Sequence, residues 1–374
     1  MRVVIPASIF DLFPVPQATN MIPNPRQGKT LVLCPIGLGN FIMATPALKA
    51  LSDAVGKDRV SLLALKSGIG DMARASNLFG RVFEWDPDGE GLGKGISLLR
   101  EVRAEKFTHS VALFPASHWK FTAFHRLAGS AFRMGFAYPN QKAPEWIQHI
   151  SLPLTDTHDT LQNLKLVETF LGTAIQNATD PFFPSDVKSP ERLPSMPFFA
   201  CHPGSSAERG MDAKRLPPEV FAKMIAHVHR ETGWPCVLVG GPEEKDLRKA
   251  VAAGCRDAIM EVPIRSLAET AGTLRFAKFF LGNDSGLMHL SDAVGTRCAA
   301  YFGPTDEKRT GPYGYWEMRN GASRHLVLRR KNTIPIWTLK TVGSNPPLKA
   351  GDETHWNLEE LEAWEALRSW IQAL

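Results

Sequence analysis

The sequence predicts an α/β protein built from two Rossmann-like, doubly wound domains. Three observations carry this. Short apolar strand-like runs alternate with helical patterns in both halves of the 374 residues. Each half opens with a strand and a glycine-containing turn. A proline-rich stretch separates them. Alternation of strand and helix implies parallel sheets covered on both faces.

The first strand is Thr30–Cys34, followed by the turn Gly37-Leu38-Gly39. A helix follows, with Ile42, Ala47, Leu48, Leu51 and Val55 at helical spacing and Pro46 placed in its first turn. Val60–Leu65 and Ser110–Phe114 read as further strands, and Leu161–Leu171 as an amphipathic helix closing this half. Asp180–Pro197 contains Pro181, Pro184, Pro190, Pro194 and Pro197, a linker composition. The pattern then restarts: strand Phe198–Cys201, turn Pro203-Gly204, helix Pro217–Arg230, strand Cys236–Val239 and the turn Gly240-Gly241-Pro242. Phe279–Leu281 and Cys298–Phe302 are later strands, and Leu358–Leu374 is a final amphipathic helix. The expected layout is an extension (1–28), a first domain (29–179), a linker (180–197), a second domain (198–345) and a terminal helical segment (346–374).

Composition is that of a globular protein, 44% hydrophobic and 22% charged, which excludes a disordered chain. Net charge is +5, suited to anionic ligands or an anionic membrane surface. The basic residues are scattered, with no block resembling a nucleic-acid arm. The five cysteines are widely spaced without a C-x-x-C, so neither a disulfide framework nor a structural zinc is expected, and the compartment reads as reducing. No apolar run is long enough to span a bilayer, and Asp11, Pro14 and Pro16 interrupt the apolar start, against a signal peptide.

The most informative segment is Gly282-Asn283-Asp284-Ser285-Gly286-Leu287-Met288-His289. A buried strand ends there and a helix begins, so polar side chains and unpaired N–H groups share one strand-to-helix turn. That is where open α/β sheets bind ligands, and the positive helix end suits a diphosphate. The plain alternative is a helix cap, with Asp284 or Ser285 satisfying the first N–H groups.

Together with His202-Pro203-Gly204-Ser205-Ser206 and Phe302-Gly303-Pro304-Thr305-Asp306, this segment resembles glycosyltransferase family 9, the bacterial heptosyltransferases of lipopolysaccharide synthesis. The resemblance runs from about Lys29 to about Gly314, with the motifs in the family's order. It implies the glycosyltransferase B fold, two Rossmann-like domains facing across a cleft, in which the terminal helix packs back on the first domain. It further implies an inverting, metal-independent transfer, with a nucleotide sugar (ADP-heptose in the family) as substrate and no cofactor. The implied acceptor is a lipopolysaccharide core or another cell-surface glycan or glycolipid. The chain would work in the cytoplasm, with peripheral contact at the inner membrane's cytoplasmic face.

The resemblance also assigns residues. Asp284 would hold hydroxyls of the donor sugar, the Ser285, Gly286 and Leu287 backbone would meet the diphosphate, and His289 would lie close by. Ser205 and Ser206 would wrap the diphosphate. Lys214 best matches the family's downstream lysine, which neutralises the departing nucleoside diphosphate; Arg209 and Arg215 are alternatives. Glu243, or Glu244, would reach the nucleoside, unless these acids only complement a helix dipole. Thr305 or Arg309 would touch phosphate, or their segment is a structural turn. On the acceptor side stand Gly39, Asn40, His118, Trp119 and Lys120, with Trp119 stacking on a sugar or simply filling core.

One position departs from the family. Asn40 stands where heptosyltransferases carry an aspartate that acts as general base, and an amide is not a useful base. Three readings stay open: His118 or Asp71 supplies the base, positioning alone suffices, or the chain binds a sugar nucleotide without transferring it. Gly37-x-Gly39 lacks the third glycine of a dinucleotide fingerprint, since Ile42 stands there. Asp86-Pro87-Asp88 imitates a metal-binding D-x-D but suits a surface turn better.

Overall fold

The computed structural model describes residues 23–87, 89–139, 149–206, 214–314, 318–319, 322–342, 358 and 360–373. Most of the extension, Asp88 and Arg209 lie outside the described residues, as do the side chains of Trp119 and Lys120. The chain divides into two compact units, one reaching Thr179 and the other opening at Asp180.

The first unit holds a parallel sheet of β1 (Thr30–Cys34), β2 (Val60–Ala64), β3 (Arg81–Glu84), β4 (His109–Ala112), β5 (Phe132–Phe136) and β6 (Ile150–Leu152). The order is β3-β2-β1-β4-β5-β6, so the winding reverses between β1 and β4. β1 is a continuous apolar run because both its faces are covered. One cover is the helix Leu38–Val55, which packs on the helix Asp159–Leu171.

That first helix differs from the expectation drawn for Pro46. It starts at the glycine turn itself, with Gly37 as its cap, so Pro46 falls in the interior rather than the first turn. A proline there cannot donate to the carbonyl four residues back. The Thr45 hydroxyl donates to that Ile42 carbonyl instead, at 2.7 Å.

The second unit holds β7 (Phe199–His202), β8 (Cys236–Leu238), β9 (Phe280–Asn283) and β10 (Cys298–Tyr301). A short antiparallel pair follows, β11 (Met318–Arg319) and β12 (Ala322–Ser323), then β13 (Leu326–Leu328). Its main sheet is parallel in the order β13-β10-β9-β7-β8, reversing between β7 and β9. Its core stacks Phe199 on Phe279 at 5.1 Å. The proline-rich stretch lies along this unit: the Lys188 N–H donates to the Ala268 carbonyl at 3.1 Å, and only a glycine at 272 leaves room for the Lys188 carbonyl.

The terminal helix Glu360–Ile371 packs in the second unit's core, whereas the resemblance implied packing on the first domain. Ala363 and Leu367 are fully buried there, and Trp370 meets Phe279 edge-on at 5.7 Å. Trp364 stacks on His227 of the helix Pro218–Thr232 at 4.9 Å. The reason is complementarity of stripes: residues 363, 367 and 370 share one helix face, and that neighbouring helix offers an apolar face to receive it. Among the described residues no helix is long and apolar enough to cross a membrane.

Candidate functional site

In the second unit the winding reversal brings two loops together, and ligands of open α/β sheets bind at such strand ends. β7 ends at His202 and leads into Pro203-Gly204-Ser205-Ser206. β9 ends at Asn283 and leads into Asp284 and Ser285, which open the helix Gly286–Ala293. Asn283 ties the two loops. Its amide donates to the Pro203 carbonyl at 2.7 Å and the Gly204 carbonyl at 3.2 Å, and its oxygen accepts from the Leu216 N–H at 3.0 Å.

The choice between a capping serine and a capping aspartate is resolved by geometry. Ser285 is extended and accepts from the Met288 N–H at 3.4 Å, so it is the cap. Asp284 is thereby left for a cation: Lys214 Nζ donates to Asp284 Oδ2 at 2.8 Å, with the carboxylate side chain 5% exposed. Ser205 Oγ donates to the Asp284 carbonyl at 2.8 Å, and Arg215 Nε donates to the Ser205 carbonyl at 3.1 Å. Ser206 is exposed, while Gly286 and Leu287 are half-buried and His289 is buried within the helix's first turns. The sheet thus gathers Ser205, Lys214, Asp284, Ser285, Gly286, Leu287 and His289 at adjoining loops.

The acidic pair after β8 splits. Glu243 is exposed, whereas Glu244 turns inward and is buried. Glu244 Oε2 accepts from His202 Nε2 at 2.8 Å and from the Gly241 N–H at 3.1 Å, and Arg215 stands 4.0 Å from Oε1. Burial pushes this carboxyl up; the hydrogen bond from His202, the Gly241 N–H and Arg215 outweigh it, so its pKa lies below the usual carboxylate value. On its other side, His202 Nδ1 is 3.0 Å from Ser285 Oγ. Sequence reasoning gave no role to His202 or Asn283, and the signal it had was a polar residue closing each apolar strand.

After β10, Arg329 donates to the Gly303 carbonyl at 2.6 Å and to the Thr305 carbonyl at 2.5 Å. It also pairs with Glu307. These bonds fix the Gly303-Pro304-Thr305-Asp306 turn, where Thr305 and Arg309 are both buried.

The first unit repeats the logic. Gly39 and Asn40 are half-buried in the first turn of the helix following β1. His118 ends the loop after β4, immediately before the helix Trp119–Leu127, which Trp119 and Lys120 open. β1 and β4 are neighbours, so Asn40 and His118 follow adjoining strand ends at the reversal. The β4 loop contains a cis Phe114–Pro115 bond and is held by Asn163, which accepts from the Phe114 N–H at 2.9 Å, and by the Tyr138 hydroxyl, which accepts from the Ala116 N–H at 2.6 Å. Asp71, by contrast, is exposed and paired with Arg74 at 2.7 Å.

The family model for glycosyltransferase family 9 (heptosyltransferase) matches residues 96–333, which include every second-unit loop described above. The chain belongs to glycosyltransferase family 9. It is 33% identical over 106 residues to lipopolysaccharide heptosyltransferase 1 of Pseudomonas aeruginosa, a segment that is 28% of this chain and 30% of that relative. Among solved structures, ADP-heptose lps heptosyltransferase II of E. coli superposes with a TM-score of 0.65 at 16% identity, over 91% of this chain and 98% of that one. E. coli heptosyltransferase WaaC with ADP-2-deoxy-2-fluoro heptose gives 0.61 at 18% identity, over 84% and 96%. Both units take part, and the fold of this family 9 member is the glycosyltransferase B fold. Among the described residues, no three His, Cys, Asp or Glu side chains are grouped to hold a metal ion, and the five cysteines are buried and free.

Proposed function

We propose that this family 9 member is an inverting, metal-independent glycosyltransferase that moves heptose from ADP-heptose to a lipopolysaccharide core or another cell-surface glycan. The observation that carries the reading is the Lys214–Asp284 pair, 2.8 Å apart beside the start of the helix Gly286–Ala293. A nucleotide sugar presents hydroxyls and a diphosphate side by side, and this pair offers a carboxylate for the first and a cation for the second. The Gly286 and Leu287 N–H groups, at the helix's positive end, suit the same diphosphate. Ser205, Ser206 and His289 line the approach, and Glu243, exposed at the rim, takes the ribose.

The acceptor belongs to the first unit, with Gly39, Trp119 and Lys120 around it. Asn40 orients the attacking hydroxyl and His118 accepts its proton; Asp71, exposed and ion-paired with Arg74, is the alternative. The hydroxyl oxygen forms a bond to the anomeric carbon, the bond from that carbon to the diphosphate breaks, and ADP leaves with its charge met by Lys214. A net charge of +5 suits peripheral work at the cytoplasmic face of an anionic inner membrane.

Acceptor-dependent release of ADP from ADP-heptose tests the reading. Lys214→Ala is expected to lower turnover about 100-fold or more, the scale of losing one group that stabilises developing charge. Unchanged release in that variant would remove the donor site from the mechanism. The second reading, a binder without transferase activity, rests on Asn40. Asn40→Asp should retain or raise transfer if this position meets the acceptor hydroxyl. Donor binding in both forms, with release in neither for any glycan acceptor, would favour the binder.

A further inference from the structure

Behind the donor loops lies a buried chain of three side chains that the mechanism above does not use. Glu244 contacts His202 Nε2 at 2.8 Å, and His202 Nδ1 contacts Ser285 Oγ at 3.0 Å. All three are buried, at 9%, 4% and 7% exposure. They come from three different strand ends, β8, β7 and β9, so three loops meet on one imidazole. The backbone makes room for them: a Cβ at Gly204 would lie 1.8 Å from Glu244 Oε1 and 2.8 Å from His202 Nε2. At Gly240, whose φ is +146°, a Cβ would lie 2.6 Å from Glu244 Oε2.

The direction of these bonds follows from the groups. A carboxylate only accepts, so His202 Nε2 carries a hydrogen. In the neutral ring Nδ1 is then an acceptor, and the Ser285 hydroxyl must donate to it. That choice leaves the Ser285 lone pairs facing the Met288 N–H, the capping bond at 3.4 Å. Arg215 near Glu244, and Arg248 bonded to the Gly241 carbonyl at 2.7 Å, are the cations bordering the chain, and the Lys214–Asp284 pair follows directly on the Ser285 side.

We propose that His202 is a positioning residue for donor binding. By accepting a hydrogen bond from the Ser285 hydroxyl, with Glu244 fixing its tautomer, it locks the cap of the helix Gly286–Ala293. The Gly286 and Leu287 N–H groups are thereby presented as a fixed cradle for a diphosphate. This rests on the transfer reading, because it concerns the diphosphate of that donor.

Two conservative replacements separate the two ends of the imidazole. Asparagine places its oxygen near the Nδ1 position and can still accept from Ser285, but it cannot reach Glu244. Glutamine reaches towards Glu244 but leaves Ser285 without its acceptor. The measurement is the Kd for ADP by titration calorimetry on the full chain, with the donor KM and kcat alongside. His202→Gln is expected to bind ADP about tenfold more weakly, the value of one buried hydrogen bond. His202→Asn should stay within about threefold of the parent, and the loss should fall on donor KM rather than kcat. Ser285→Ala is expected to match His202→Gln, and the double variant should be no worse than either. Should His202→Gln not fold, Ser285→Ala against Ser285→Ala/His202→Asn supplies the same test, equal affinities being expected. Parent protein that takes up no ADP overturns the transfer reading and this role together. Parent binding with His202→Gln unimpaired, with Asn and Gln equally impaired, or with additive losses in the double variant overturns the role alone.

Discussion

Lys214 and Asp284 hold opposite charges 2.8 Å apart, and neither is fully solvated. Leaving one of them unpaired in such a place costs more than the pair itself contributes. A ligand that meets both at once therefore exchanges one set of contacts for another without stranding a charge. Glu244 follows a different rule. Its carboxyl is held below the usual value, so its ionised form favours the folded state. That stability is present above the unfolded pKa, about 4.3, and is lost as pH falls through the lower folded value. The urea midpoint of the wild-type protein should therefore drop more steeply below about pH 4.3 than that of Glu244→Gln; equal acid slopes would contradict the assignment. Residues at this scale were partly legible. Asp284 and Ser285 stood out because polar groups crowd the end of an apolar strand, whereas Lys214 was named only because the resemblance implied a lysine downstream of the Ser205 loop. The resemblance favoured Glu243 over Glu244, but the inward turn of Glu244 was not legible, because one residue of advance around the tight turn Pro242–Glu244 moves a side chain from rim to interior.

Loops and helix starts owe their shape to specific bonds. Asn283 joins the β7 and β9 loops, and Arg329 pins the turn after β10. A Cβ at Gly204 would overlap the Glu244 carboxylate, and the φ of Gly204 is not in the left-handed region, so space rather than strain demands the glycine. Gly204→Ala should displace the Glu244 carboxylate and cost about 1–3 kcal/mol of stability, the usual scale of overpacking, with weaker ADP binding as a companion effect. Chemical denaturation measures the first and titration the second; an alanine tolerated without loss of either would mean that the loop yields freely. Strand periodicity made most elements readable. Pro46 misled, because proline favours a first turn on average, and here the Thr45 hydroxyl satisfies the carbonyl that proline abandons.

Across the whole molecule, two parallel sheets each reverse their winding once, and candidate site residues follow the strand ends at each reversal. That pattern was readable from strand alternation and the glycine turns. The destination of the terminal helix was not. Its amphipathic stripe announces burial but not the partner, and the receiving face on the helix Pro218–Thr232 exists only after the second unit folds. Leu367, fully buried at that contact, should therefore stabilise the second unit. Leu367→Ala is expected to cost about 2–5 kcal/mol. Protection of second-unit amides from hydrogen exchange should fall accordingly, while first-unit amides away from any shared opening keep theirs. A variant as stable as the parent would show that this helix contributes nothing to the core.

The central claim is that the diphosphate of an activated sugar is held where β7 and β9 of the second sheet end. A crystal structure of the full chain with ADP tests it most directly. Phosphate oxygens are expected within hydrogen-bonding distance of the Gly286 and Leu287 N–H groups and of Lys214 Nζ. ADP bound elsewhere on the molecule, with Lys214 still paired to Asp284 and the helix start facing only side chains, would contradict it.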